Sequence, residues 1–342
     1  MKKVLIIMST IILLAMIIVN PLPAKKLGVL PEVSKIGGIY IYQKKVYFLD
    51  EKVHVDLYAL NPFRYIKQIS RFGAGPGECP NIPVVFLYPD YLYLYKNGKC
   101  MFFSLNGDYI REFKIPNPTL TFFAPVGKNF LTFKSTRNET SYIDDISICS
   151  YSEKDGIKHK KVVYVNLYPR KGQRDNRFEL NPFIAKWYFE IFDDKVFIAD
   201  AKRGLFAEIF DFNGNRISQI KLNVQRLKIP EESKKKYLNE IENTQFWQTY
   251  KNIYYVDFPE YYPDFYKFSV DKGKLYFLTY SKKGNKREII VTDWKGKFIK
   301  RAFVTVLNPM DHFHCTIKDN KFYYLFENEE SEEWELHVED IK

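Results

Sequence analysis

Six times along the chain a polar turn runs into a short apolar and aromatic strand. The copies are KKVYFLD (Lys44–Asp50), DYLYLYK (Asp90–Lys96), KNFLTFK (Lys128–Lys134), DKVFIAD (Asp194–Asp200), GKLYFLT (Gly273–Thr279) and NKFYYLF (Asn320–Phe326). Runs of this length between turn residues read as buried strands. Aligned on Val46, Leu92, Phe130, Val196, Leu275 and Phe322, they recur at steps of 46, 38, 66, 79 and 47 residues. A second pattern follows three copies: FFSLNGDYIREFKI (Phe102–Ile115), IFDFNGNRISQIKL (Ile209–Leu222) and IVTDWKGKFIKRAFV (Ile290–Val304). Each reads strand, tight turn, strand. Asn106-Gly107 and Asn213-Gly214 are hairpin signals, because two-residue turns need positive φ, and Lys295-Gly296 is a weaker copy.

Four-stranded units of 40–50 residues are the mark of propeller blades, which bury their faces only by stacking in a ring. The expected fold is all-β: a six-bladed β-propeller of four-stranded antiparallel blades over residues 25–342. The longest step holds an insertion, about 223–262, between blades 4 and 5. There IPEESKKKYLNEIENTQ combines Pro230 and early glutamates with Tyr237, Leu238 and Ile241 at helical spacing, which predicts a short surface helix. The last unit lacks an outer strand: after NKFYYLF comes only EWELHVEDI. KKLGVLPEV (Lys25–Val33) is expected to supply the missing strand and close the ring, removing an open sheet edge.

RFGAGPGECPNIP (Arg71–Pro83), with the following YLYLYKNGKCMFFSLNGDYIREFKI, resembles the NHL-type six-bladed β-propeller family of secreted bacterial proteins. Gly73, Gly75, Pro76, Gly77 and Glu78 match that family's GPGE signature, as does SLNGDYIREF; Cys79 stands where a phenylalanine is usual. The resemblance implies the fold and export. It does not imply an activity, because propellers host many.

Residues 1–24 have Lys2 and Lys3, an uncharged apolar run from Val4 to Val19, and Pro21 and Pro23 after it. This predicts a signal peptide, or an uncleaved anchor, and an extracytoplasmic location: periplasmic, cell-surface or secreted. No cysteine precedes Cys79, so no lipidated N-terminal cysteine is expected. Losing the two leader lysines takes the formal charge from +11 to +9. That balance, with basic clusters at 159–161, 233–237 and 281–287, suits an anionic envelope surface and fits solvated edge strands as well. Nucleic acid is not expected for an exported chain. Four widely spaced cysteines (Cys79, Cys100, Cys149, Cys315) allow at most two disulfides and form no CxxC metal motif. Asn138-Glu139-Thr140 is a glycosylation sequon only in a eukaryotic secretory pathway.

GAGPGE fails as a phosphate loop: it lacks the Gly-Lys-Ser/Thr end, and Pro76 removes an N–H. No strand-loop-helix context supports dinucleotide binding, and no cofactor is expected. The sharpest metal candidate is DHFHC, where His312 and His314 share one face of a strand. The acidic pairs Asp144-Asp145 and Asp193-Asp194, and the Glu329–Glu333 cluster, are adjacent residues facing opposite ways, so they read as turn and solvation residues. No nucleophile elbow is present. The leading expectation is a non-enzymatic binding or scaffold propeller engaging a protein, peptide or glycan. The alternative is a metal-dependent hydrolase or lyase at the central channel.

Overall fold

The computed structural model describes residues 24–115, 120–137, 141–169, 177–183, 185–306, 314–328 and 330–342. The expected leader and the sequon at Asn138 lie outside them. Six four-stranded antiparallel sheets form a propeller ring. Blade 1 is β2 (Ile36–Tyr42), β3 (Lys45–Asp50), β4 (His54–Leu60) and β5 (Phe63–Gln68); blade 2 is β6 (Val84–Leu87), β7 (Tyr91–Lys96), β8 (Lys99–Ser104) and β9 (Tyr109–Lys114). Blade 3 is β10 (Phe122–Val126), β11 (Asn129–Arg137), β12 (Ser141–Ser152) and β13 (Gly156–Pro169); blade 4 is β15 (Trp187–Phe192), β16 (Lys195–Asp200), β17 (Leu205–Asp211) and β18 (Arg216–Leu222). Blade 5 is β20 (Lys267–Asp271), β21 (Lys274–Lys283), β22 (Lys286–Asp293) and β23 (Phe298–Thr305). Blade 6 takes β24 (Cys315–Lys318), β25 (Lys321–Asn328) and β26 (Glu333–Asp340) from the C-terminus and β1 (Lys25–Leu30) from the N-terminus.

The sixfold repeat is thus the second strand of every blade. Its apolar residues are buried from both sides by neighbouring blades, as Val46, Tyr47 and Phe48 show. The Asn-Gly hairpins join strands three and four, with Gly107 and Gly214 both at φ +79. The ring closes as expected. Leu30 pairs with Trp334 and Lys25 with Val338, while Lys26 Nζ lies 2.7 Å from Glu335 Oε1. Burial alone would hold the Glu335 proton on. Hydrogen bonds from Asn328, Lys26 and His337 outweigh it and pull the carboxyl down to about 2.

Apolar clusters fill the blade interfaces, one of them continuous across blades 2, 3 and 4, and the aromatic surplus stitches the blades together. Tyr47 donates to Leu105 O of blade 2 at 2.9 Å, Tyr95 donates to Leu120 O at 3.1 Å, and Tyr93 donates to Phe123 O of blade 3. Each of these tyrosines buries its ring while its hydroxyl reaches a carbonyl on the neighbouring blade or the segment leading into it. The four cysteines are free thiols buried in this core, so none forms the disulfides that the count allowed. Burial pushes the Cys100 and Cys149 thiols up to about 12, well away from reactivity.

The insertion contains the expected helix, α1 (Glu231–Glu242), capped by Pro230 and with Glu231 and Glu232 in its first turn. Ile241 is its buried residue, and the Tyr237 ring meets Phe183 and Phe258. Two further elements follow that the sequence pattern did not suggest. One is a short α2 (Gln245–Tyr250), capped by Thr244. The other is β19 (Tyr254–Val256), which pairs in parallel with β14 (Phe178–Leu180) from the blade 3–4 connection. The two connections are therefore one structure.

Candidate functional site

The glycine-rich loop between blades 1 and 2 is closed on itself. Gly75 N and Arg71 Nε donate to the Glu78 carboxylate at 2.9 and 2.7 Å, and Gly77 N donates to Glu112 at 3.0 Å. Buried Lys99 donates to Gly75 O at 2.6 Å and Glu78 O at 2.8 Å and pairs with Glu112 at 3.2 Å. A Cβ on Gly73 would sit 2.1 Å from Glu78 Oε2, so only glycine lets the carboxylate fold back. The Arg71 ion pair and the Gly75 hydrogen bond hold the Glu78 carboxyl below its usual range, the backbone bond contributing most. Little polar capacity remains for a ligand, in agreement with the structural reading of GPGE. Cys79 packs there as a small buried thiol.

Of the histidine pair, His312 lies outside the described residues. His314 immediately precedes the inner strand of blade 6. Burial and nearby Lys267 push its imidazole below its ordinary value, with Glu51 opposing. Lys267 and Lys318 also flank Glu190 of β15. Burial pushes Glu190 up to about 7 against the pull of those two lysines. Glu190 in turn acts on Tyr40 of blade 1, whose phenol burial raises to about 12. Tyr40, Glu190, Lys267 and Lys318 lie on β2, β15, β20 and β24, the innermost strands of blades 1, 4, 5 and 6, which face the axis of the ring. The other side of the axis is apolar: Phe86, Phe122 and Phe189, from blades 2, 3 and 4, meet at centroid distances of 4.5–5.9 Å.

A groove of about 400 Å³ opens between blade 4 and the insertion. One wall is the β16–β17 turn with Lys202, Arg203 and Gly204; the other carries Arg226, Tyr261 and Asp264. Its floor is rigid. Phe183 stands edge-on to Tyr262 at 4.9 Å, and Tyr262 stacks on Tyr280 at 4.4 Å. The walls are tied by Asp257 N to Leu180 O, Ile229 N to Glu260 O and Tyr262 N to Leu227 O, at 2.9–3.1 Å. Arg203 lies 3.4 Å over the Phe206 ring and pairs with Glu208 at 3.3 Å. Arg226 lies 4.9 Å over the Tyr261 ring. Among the described residues, no carboxylate comes within ion-pair distance of Arg226. Burial raises the Asp264 carboxyl, with Arg226 opposing. The groove thus offers guanidinium edges, aromatic faces and one acid. The sequence pattern singled out none of these residues; Arg226 and Arg203 come to one groove only through the blade topology.

No family model and no curated protein sequence matches the chain. Among solved structures it is similar to a "putative exported protein" from Bacteroides fragilis, with TM-score 0.53 and 13% identity over 93% of this chain and 94% of that one. The designed Ika8 protein follows at TM-score 0.42 and 6% identity, over 93% and 100%. At such identities the likeness is one of fold. The chain is a six-bladed β-propeller with an exported protein among its structural neighbours. Among the described residues no helix is long and apolar enough to cross a membrane.

Proposed function

We propose that the chain is an extracytoplasmic binding propeller, of the NHL-like kind its GPGE loop resembles, with no chemistry of its own. Its ligand is a carboxylate-bearing segment of a peptide, protein or glycan, seated in the groove between blade 4 and the insertion. The carrying observation is Arg226: a guanidinium held over Tyr261 at the rim of a groove, with no carboxylate within ion-pair distance among the described residues. Arginine on an aromatic face is suited to planar, bidentate capture of carboxylates. A volume of about 400 Å³ falls in the range of small-ligand sites. The net positive charge would draw such ligands, and an anionic envelope surface, toward the protein.

The test is an array of acidic peptides and uronate-containing glycans, each beside its amide or neutral counterpart. The proposal expects binding to the acidic members and its loss in Arg226→Ala. Equal binding to the neutral counterparts would overturn it.

A second reading has one observation in its favour. Burial raises the Glu190 carboxyl, on the innermost strand of blade 4, to about 7, a value suited to accepting a proton near neutral pH. Two lysines beside it disfavour a divalent cation there, so this would be proton-transfer chemistry of the lyase kind. A reaction abolished by Glu190→Gln, with the melt unchanged, would establish it.

A further inference from the structure

We propose that Asp50, His54 and Asp56 form a zinc-type metal site at the seam where the ring is closed. One donor atom from each lies within 4.8 Å of the others. His54 Nε2 is 3.0 Å from Asp56 Oδ2 and 4.0 Å from Asp50 Oδ2. Zinc bonds to imidazole nitrogen and carboxylate oxygen are about 2.0–2.2 Å, which sets neighbouring ligands roughly 3.3–3.5 Å apart in a tetrahedron. The two separations bracket that spacing. The hairpin produces the arrangement: Asp50 and His54 face each other across the β3–β4 turn, and Asp56 is two residues further on, on the His54 face.

The independent observation is Asp56. It is 2% exposed, and its Oδ2 accepts no well-formed hydrogen bond: the His54 ring, 3.0 Å away, pairs with it without meeting hydrogen-bond geometry. A buried carboxylate oxygen whose close neighbour is a poorly aligned imidazole is incompletely satisfied when that ring is neutral, and an ion bridging the two would complete it.

The fold supplies its own control in blade 4, where Asp200 and Glu208 hold the strand positions equivalent to Asp50 and Asp56. There Tyr164 donates to Asp200 at 2.8 Å, and Arg203 and Arg216 pair with Glu208 at 3.3 and 3.0 Å. In blade 4 a tyrosine hydroxyl satisfies Asp200 and two arginines neutralise Glu208; in blade 1 a histidine takes the place of the arginines. Asp50 is also aimed. Oδ1 accepts from Lys52 N at 2.6 Å and Oδ2 from Ser34 N at 2.8 Å, the outer-shell bonds that orient a metal ligand. Ser34 lies in the link from β1 to β2. Metal on Asp50 would therefore brace the closing strand. The 14% exposure of the His54 side chain leaves room for a water as fourth ligand.

The experiment strips the full-length exported chain of metal, then titrates zinc against a chromophoric chelator and follows the melt. Cobalt(II) is substituted in parallel, for its d–d spectrum. The expected result is one equivalent bound, a melt raised by zinc, and a tetrahedral cobalt spectrum. Asp56→Asn, which preserves shape, should weaken affinity at least tenfold, as should His54→Ala, whereas His337→Ala should not. Failure of saturable uptake by the unmodified protein would overturn the proposal, as would uptake that Asp56→Asn and His54→Ala leave unchanged.

Discussion

Two connections in this ring lead from the outer strand of one blade to the inner strand of the next, and they use their polar groups in opposite ways. Between blades 1 and 2, Glu78, Lys99 and Glu112 turn inward on the loop's own N–H groups and carbonyls. Between blades 4 and 5, the chain detours through α1, α2 and β19, and Arg226 and Tyr261 face a groove. The first arrangement satisfies hydrogen bonds within a short span, so it makes a rigid corner. The second leaves a cation with no ion-pair partner among the described residues beside a groove, where the proposed ligand would complete it. A conspicuous motif is therefore a poor guide to a binding site when its donors and acceptors are already matched.

Both connections depend on a closed ring, so opening it should have the largest effect. Deleting residues 25–30 removes β1, its ladder to β26 and the buried Leu30. A loss on the order of 5 kcal/mol is expected, read as a collapse of the denaturation midpoint. Next comes the self-satisfied corner. Lys99→Ala leaves two carbonyls and Glu112 without their buried cation, which should cost about 3 kcal/mol by chemical denaturation. A loss below 1 kcal/mol would erase the contrast drawn here.

The seam should also show in acid. Glu335 has a folded value of about 2 against an ordinary 4.5. A lowered carboxyl stabilises the fold above its unfolded value, and that contribution fades as pH falls from about 4.5 toward 2. The loss should be about 2 kcal/mol, discounted because Lys26 is half-exposed, and a pH series of melts on the wild type and Glu335→Gln would read it. Smallest is the stability change for Arg226→Ala, within about 0.5 kcal/mol, because the side chain is exposed and its role is toward a ligand.

Much of the ring was legible in the sequence. Strands two to four of a blade are regular, because second strands are buried on both faces and Asn-Gly turns fix the outer hairpins. The missing outer strand of the last unit pointed to Lys25–Val33, as the Leu30–Trp334 pairing shows. The innermost strands were not legible. IGGIYIY, VVFL, FFAPV, WYFEIF, KFSVD and CTIK share no pattern, since each meets a different sector of the axis, from Phe122 to Glu190. The groove was hidden for another reason. Arg203, Arg226 and Phe183 belong to three segments far apart in sequence, and the contacts that organise them are a β14–β19 pairing three residues long and a few loop hydrogen bonds. The Asp50–His54–Asp56 cluster was within reach, since its spacing is that of one hairpin.

The central claim is that the groove, and not the glycine-rich loop, takes the ligand. Its most direct test is calorimetric titration of the tightest acidic array member into wild type, Arg226→Ala and Glu78→Ala. The account predicts that Arg226→Ala loses at least tenfold in affinity while Glu78→Ala binds as wild type does. Undiminished binding in Arg226→Ala, or loss in Glu78→Ala with its fold intact, would contradict it.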